Sequence, residues 1–314
     1  MSDETMRERG ALLAIGLCTY KRPEFLRKCL DSIAAARKPE GPALRLIVAD
    51  NDPAGSAEIV VRAFESDSGL QVDYAVETGR GIPFARNNVL RRAMAAGATE
   101  LAFLDDDEWV DVAWLERLWA HYTESGADVV RGFVETVYPP DAPAWVVKGG
   151  FYRRANYPTG TKFDSASTNN VLYDVAKIAA EWGLFFDESF GQRGGSDSEY
   201  FMRARSRGAV ISWAADAVVY ETLEKDRYEI SYLLKRKFRT RNAEAYFKGL
   251  SAKKRASVFL KSLWKVLSGA AFLPFSIIFG SHVAVRTLSR IVEGTGRLLG
   301  LFGAHIGWNE YHGK

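Results

Sequence analysis

ELAFLDDDEW, residues 100–109, is an apolar run that ends in four consecutive acids, Asp105, Asp106, Asp107 and Glu108. A short apolar run bounded by polar residues reads as a buried strand, with the acids at its carboxyl end. Upstream, LLAIGLC (12–18) and LRLIVAD (44–50) are runs of the same kind, and LQVDYAVE (70–77) is a third. Between them lie helical patterns. Pro23 opens one carrying Phe25, Leu26, Leu30 and Ile33 on a single face. Gly79-Arg80-Gly81 breaks the chain before a second that runs through Met94, and a Trp-rich helix follows over 112–122. Strands alternating with helices predict a mostly parallel sheet covered on both faces. Ligands of such sheets bind outside the carboxyl ends of the strands, where Thr19, Asp50 and Asp105 fall.

Alternate carboxylates at that edge suit a hard divalent cation, which takes oxygen ligands and keeps room for water and substrate phosphates. An acidic helix start explains the same run, since carboxylates favour helix N-termini. Asp197, in GGSDSE (194–199), also has two readings: a helix cap, or a general base held ionised at the N-terminus. The Gly79–Gly81 turn lacks the third glycine of a dinucleotide fingerprint and follows the third strand. No phosphate-binding GxxxxGK[ST] loop occurs, and no GxSxG elbow. His121, His282, His305 and His312 form no zinc-ligand pair, and Cys18 and Cys29 form no CxxC pair, so both cysteines are expected as neutral thiols.

The 314 residues carry a net charge of +3, unevenly distributed. From Lys225 onward there are 17 Lys and Arg against 5 Asp and Glu, while the preceding residues carry 25 against 34. An acidic body with a basic tail points to an anionic partner for the tail. Its charge is interleaved with long apolar stretches, which speaks against nucleic acid. VLSGAAFLPFSIIFGSHVAV (266–285) holds no formal charge and is long enough to span a bilayer. Pro274 lies in its centre, however, and basic residues flank both ends. The pattern therefore predicts a monotopic segment on an anionic membrane surface, with a soluble helical pair as the alternative. Residues 1–10 lack the pattern of a secretory signal, which predicts a cytosolic body.

CTYKRPEFL (18–26), VADN (48–51), GIPFARNN (81–88), FLDDDEW (103–109), GGSDSEYFMRARSRG (194–208) and AVVYE (217–221), in that order, resemble the family 2 inverting glycosyltransferases. The bacterial exopolysaccharide members, of the succinoglycan glucosyltransferase type, are the most alike. The resemblance covers roughly residues 12–222. It implies a GT-A fold, a Rossmann-like mixed α/β sheet flanked by helices, over 1–224, with a basic, helical, membrane-associating region over 225–314. It further implies transfer of a hexose, glucose foremost, from a UDP-sugar to a lipid-linked saccharide at the cytoplasmic face of the inner membrane. A polyprenyl-phosphate sugar synthase and a non-catalytic sugar-nucleotide sensor are the other readings.

Carried onto this chain, Thr19, Tyr20, Arg22, Asp50, Arg86, Asn87 and Asp105 would bind the donor, and Arg236 or Arg239 its diphosphate. Asp107 and Asp105 would hold Mn²⁺ or Mg²⁺, and Asp197 would be the base. The family's usual Glu-Asp pair is Ser196-Asp197 here, and Glu221, near where relatives carry a metal-binding His, would take its place as a metal ligand. The aromatic stretch 138–168, with Trp145, Tyr152 and Tyr157, is expected as a long loop that either offers an acceptor platform or packs on the domain. The last strands are expected as a pair near 209–220.

Overall fold

The computed structural model describes residues 11–191, 194–247 and 251–304. The N-terminal segment 1–10 and the histidines His305 and His312 lie outside the described residues. The chain divides into two compact units. Of the described residues, one comprises those within 11–135 and 154–221, and the other those within 136–153 and 222–304.

The first unit is built on strands β1 (Leu12–Thr19), β2 (Ala43–Asp50), β3 (Val72–Val76), β4 (Glu100–Asp105), β5 (Glu108–Val110), β6 (Val129–Val137), β7 (Lys162–Phe163), β8 (Val171–Asp174) and β9 (Ile211–Thr222). The sheet order is β3-β2-β1-β4-β8-β6-β9-β5, with β7 added to β9. β3, β2, β1 and β4 are parallel, whereas β8 lies antiparallel to β4 and to β6. The helices of this unit are α1 (Pro23–Ala35), α2 (Glu58–Ser68), α3 (Ile82–Ala95) and α4 (Trp114–Ser125), followed later in the chain by α6 (Ser196–Ser206).

Side chains alternate across the sheet, and two separate cores result. Leu13, Ile15 and Leu17 of β1 pack with Leu26 and Leu30 of α1, Phe64 of α2 and Trp114 of α4. Ala14 of β1 and Phe103 of β4 pack with Val89 of α3 and with Tyr200 and Phe201 of α6. This is the doubly covered sheet that the strand and helix pattern predicts.

Two local expectations need correction. The residues near 209–220 form one long strand, β9, and not a pair, because the chain runs from Ile211 to Thr222 without a turn and alternates in burial from Ala217 onward. The stretch 138–168 is not a bare loop, for it contains the short helix α5 (Ala144–Gly149) and strand β7.

The second unit consists of α5 and three long helices, α7 (Ile230–Phe247), α8 (Ala252–Ser276) and α9 (Ser281–Leu301). Gly296 lets α9 close on α7, since a Cβ there would stand 2.6 Å from the Phe238 carbonyl oxygen. Glu293 of α9 pairs with Lys237 of α7 and Lys265 of α8, both at 3.2 Å. The other side of α8 is apolar and open. Leu260, Trp264, Leu267 and Phe275 are all exposed, Trp264 by 69%, and so is Ile278 in the turn that follows, by 78%. The helical stretch Ala252–Phe279 is long and apolar enough to cross a membrane.

Candidate active site

The sheet register builds the site. Thr19 of β1 lies beside Asp50 of β2, and Cys18 of β1 beside Asp105 of β4, so the three strands deliver their polar termini to one edge. Lys21, the one non-glycine with positive φ among the described residues (54°), turns the chain directly after β1. Pro23 then starts α1, and Arg22 between them reaches back to donate to Asp107 at 3.1 Å. Thr19 donates its hydroxyl to Asp106 at 2.6 Å. Tyr20 is partly exposed beside them, with the Lys21 ammonium 5.2 Å from its ring.

Beyond the turn, β5 pairs antiparallel with β9 and sets Glu108 opposite Glu221. Like charges facing each other across a pair repel, and each is answered separately. Glu221 forms an ion pair with Arg154, and Glu108 accepts from Asn169 at 3.3 Å. Five carboxyls, Asp105 to Glu108 with Glu221, therefore share this corner with the guanidiniums of Arg22, Arg86 and Arg154. Burial pushes Asp105 up to about 7, with Asp107 adding to the effect and Arg86 opposing it. Burial likewise raises Asp106 to about 7, against the Thr19 hydrogen bond. Glu108 is driven well above the carboxylate range by burial and then by Asp105, Asp107 and Glu221. Among the described residues, no three His, Cys, Asp or Glu side chains are already gathered at ion-binding spacing. The donor set is nonetheless all oxygen, five carboxyls beside three guanidiniums, which fits a hard divalent ion.

Arg86 joins this corner to the start of α6. Its guanidinium donates to Ser196 at 2.8 Å and is the cation acting on Asp105. Next in line, Asp197 occupies the first turn of α6, where its Oδ1 accepts from the Ser198 amide at 2.8 Å. The Arg86 helix, α3, is seated by Gly81, whose φ of 120° only glycine adopts freely and whose Cβ would strike the Gly191 carbonyl oxygen at 2.7 Å.

Other expected site residues take different places. Asp50 is fully buried and accepts from the Asp52 and Ala57 amides and from the Tyr74 hydroxyl, so much of its hydrogen-bonding capacity holds the loop after β2. Asn87 is buried too, and clamps Phe186 through both of that residue's backbone polar groups. Tyr152 is a core residue of the second unit, its hydroxyl donated to the Arg227 carbonyl at 2.5 Å, and is closed to a platform role. Trp145 packs on Phe151 in the same unit, 5.7 Å between centroids. Arg236 lies 5.5 Å from the Tyr152 ring, also in that unit, and Arg239 is on α7. Tyr157 belongs to the first unit and is exposed. Cys18 and Cys29 are free thiols, pushed up by burial, Cys18 to about 12.

Sequence reasoning did not find Arg154, whose partner Glu221 lies far away in the chain, nor Arg131, which stands near Asp197. For Arg131 there was a signal: a lone cation at an alternating position in the otherwise apolar Val129–Val134 run.

The model of glycosyl transferase family 2 matches residues 14–179. The chain belongs to that family. It is 35% identical, over 76% of its own length and 74% of the relative's, to the succinoglycan biosynthesis protein ExoM of Rhizobium meliloti (strain 1021). Its fold resembles the mannosyltransferase PcManGT of Pyrobaculum calidifontis, solved with GDP-Man and Mn²⁺, at a TM-score of 0.61 and 17% identity, covering 94% of this chain and 87% of the other. It also resembles residues 1–349 of S. aureus TarS in complex with UDP-GlcNAc, at 0.53 and 16%, covering 96% and 95%. The fold is therefore GT-A, and the protein is a family 2 glycosyltransferase.

Proposed function

We propose that this glycosyltransferase moves a hexose, glucose foremost, from a UDP-sugar to a lipid-linked saccharide in the assembly of a surface polysaccharide, with inversion at the anomeric carbon. The observation that carries the reading is the Arg86 bridge, which ties the acidic turn after β4 to the helix start that bears Asp197. One end of such a site suits a nucleoside diphosphate with its cation, and the other suits a proton acceptor. Asp105, Asp107 and Glu221 would hold Mn²⁺ or Mg²⁺, which supplies charge stabilisation to the departing diphosphate. Thr19, Tyr20 and Arg22 sit beside that turn to bind and orient the nucleotide. Asp197 takes the proton from the attacking acceptor hydroxyl, and a single displacement of this kind needs no second carboxylate. The similarity to a succinoglycan biosynthesis protein supports the polysaccharide assignment.

The exposed apolar residues from Trp264 to Phe279, with basic residues at either end of the stretch, support anchoring on an anionic cytoplasmic membrane face. That is where lipid-linked acceptors reside. The test is a panel of nucleotide sugars given to the purified protein with Mn²⁺ and a membrane lipid extract, with products separated by thin-layer chromatography. UDP-hexose should be consumed, and an oligosaccharide-lipid should form. A single-sugar phospholipid as product would redirect the assignment to a polyprenyl-phosphate sugar synthase.

A further inference from the structure

Next to Asp197 the first unit carries a group of side chains that the donor chemistry leaves unused. Arg131 projects from β6 on the sheet face that α6 covers, and its guanidinium lies 4.7 Å from the Phe163 ring centroid and 5.4 Å from that of Trp213. Its Nη1 donates to the Ser165 carbonyl at 3.1 Å, and the Ser165 hydroxyl donates to the Ser198 carbonyl, one residue past Asp197. Tyr157 stands edge-on to both aromatic rings, at 5.2 Å and 5.5 Å, with 42% of its surface open. Burial lowers the Arg131 guanidinium from its ordinary value, and Asp197 is the carboxylate that opposes this.

The group is preformed. The Trp213 indole N–H donates to Asn156 at 2.8 Å, the Gly160 amide to the Trp213 carbonyl at 2.8 Å, and the Ala215 amide to Thr159 at 3.1 Å. The 156–160 segment is thereby tied to β9, and Tyr157 is fixed without help from a ligand. A guanidinium braced on two rings, with N–H donors to spare, and an exposed tyrosine ring beside a carboxylate form a surface of known preference. Pyranose rings present C–H faces to aromatic rings and hydroxyls to planar cationic donors.

We infer that Arg131, Tyr157, Phe163 and Trp213 form the acceptor subsite, a shelf on which a neutral pyranose at the end of the acceptor stacks on Tyr157 and is held by Arg131 with a hydroxyl toward Asp197. This inference rests on the transferase reading for the role of Asp197. Phe163 and Trp213 act by bracing the guanidinium, and Arg131 and Tyr157 touch the sugar.

Binding separates the shelf from the donor site. Cellobiose and lactose serve as soluble probes, followed by saturation-transfer NMR and by tryptophan fluorescence with UDP and Mn²⁺ present. The wild-type protein should bind at least one disaccharide. Tyr157→Ala should weaken that binding roughly fivefold, as should Arg131→Met, which keeps length but loses charge and donors, while UDP affinity stays within about twofold. Arg131→Lys should recover only part of the loss, because an ammonium cannot stack on both rings. Tyr157 is exposed, so its variant keeps the fold where a Trp213 variant would not. Failure of both disaccharides to bind the wild-type protein, or equal binding by both variants, overturns the shelf. Failure of UDP to bind would instead overturn the UDP-sugar donor of the proposed function, and leaves the disaccharide result standing on its own.

Discussion

The two units treat charge in opposite ways. In the first, five carboxyls crowd one corner of the sheet edge, and burial with mutual repulsion holds Asp105, Asp106 and Glu108 above their ordinary range. In the second, the buried charge is answered from within: Glu293 has a lysine from each of the other two long helices, and its carboxyl is held below the usual range although burial alone would raise it. There the unmet demand lies outside, on the apolar surface of α8 and the residues that follow it. A fold leaves such costs standing where something else meets them. The first unit leaves carboxyls that a cation would relieve, and the second an apolar surface that a bilayer would cover.

The largest effect belongs to the base. Asp197→Asn keeps the acceptor oxygen that receives the Ser198 amide, so α6 retains its start. The transfer rate should fall about a thousandfold, within the range of a lost general base, with UDP affinity unchanged by calorimetry. Retention of the rate would remove Asp197 from the mechanism. The counterpart in the second unit is the apolar surface. Replacing Ile278 and Phe279 with glutamate should lower partition onto phosphatidylglycerol vesicles by at least about a hundredfold, since each side chain forfeits a burial worth about 1.5–3 kcal/mol. Co-sedimentation reads this directly, and unaltered partition would mean that the α8 surface meets another protein and not lipid. The triad comes next. Glu293→Gln leaves Lys237 and Lys265 near each other without their anion, at a cost of about 1–3 kcal/mol seen as a lower melting temperature.

The two units also differ in how much their sequences disclosed. The parallel half of the first was legible because each strand is an apolar run that stops at a polar turn, as LLAIGLC and ELAFLD do. Parallel pairing then forces those turns onto one edge. Asp105 and Asp107 could be singled out for that reason. Their partners could not: Thr19 meets Asp106 across 87 positions and Arg154 meets Glu221 across 67, separations on which local pattern is silent. Asp50 was visible as a polar residue at the right edge, and Asn87 only through the family resemblance. That their side chains bind backbone of their own unit depends on the path of the loops, which no periodicity encodes. In the second unit the apolar stretch 266–285 and its basic flanks were plain, while the triad was hidden. Tyr152 misled because a Pro- and Gly-rich neighbourhood suggests an exposed loop, whereas this ring is pinned in a small core by Leu223, Leu233 and Val285.

Acid should separate the units by sign, though by the smallest amount. Asp105 and Asp106 titrate near 7 in the folded chain and near the ordinary 3.8 when unfolded. Between about pH 4 and 7 the folded state therefore holds protons that the unfolded state has released, and stability falls as pH rises through that window. Acidifying the metal-free protein from about pH 7.5 to 5.5 should thus raise the protection of the sheet against hydrogen exchange. A divalent ion must displace the same protons, so its apparent affinity should climb with pH up to about 7 and then level off. Glu293 runs the other way. Its carboxyl lies below the ordinary value, so its contribution is complete above about pH 4.5 and is lost only as pH falls below that. Over the same acidification α7, α8 and α9 should show no gain, and below it they should loosen first. Asp105→Asn with Asp106→Asn should flatten the response of the sheet and leave that of the helices untouched. Parallel responses in both units would mean that the acidic corner is already balanced in the folded protein, and the case for a cation there would lose its electrostatic ground.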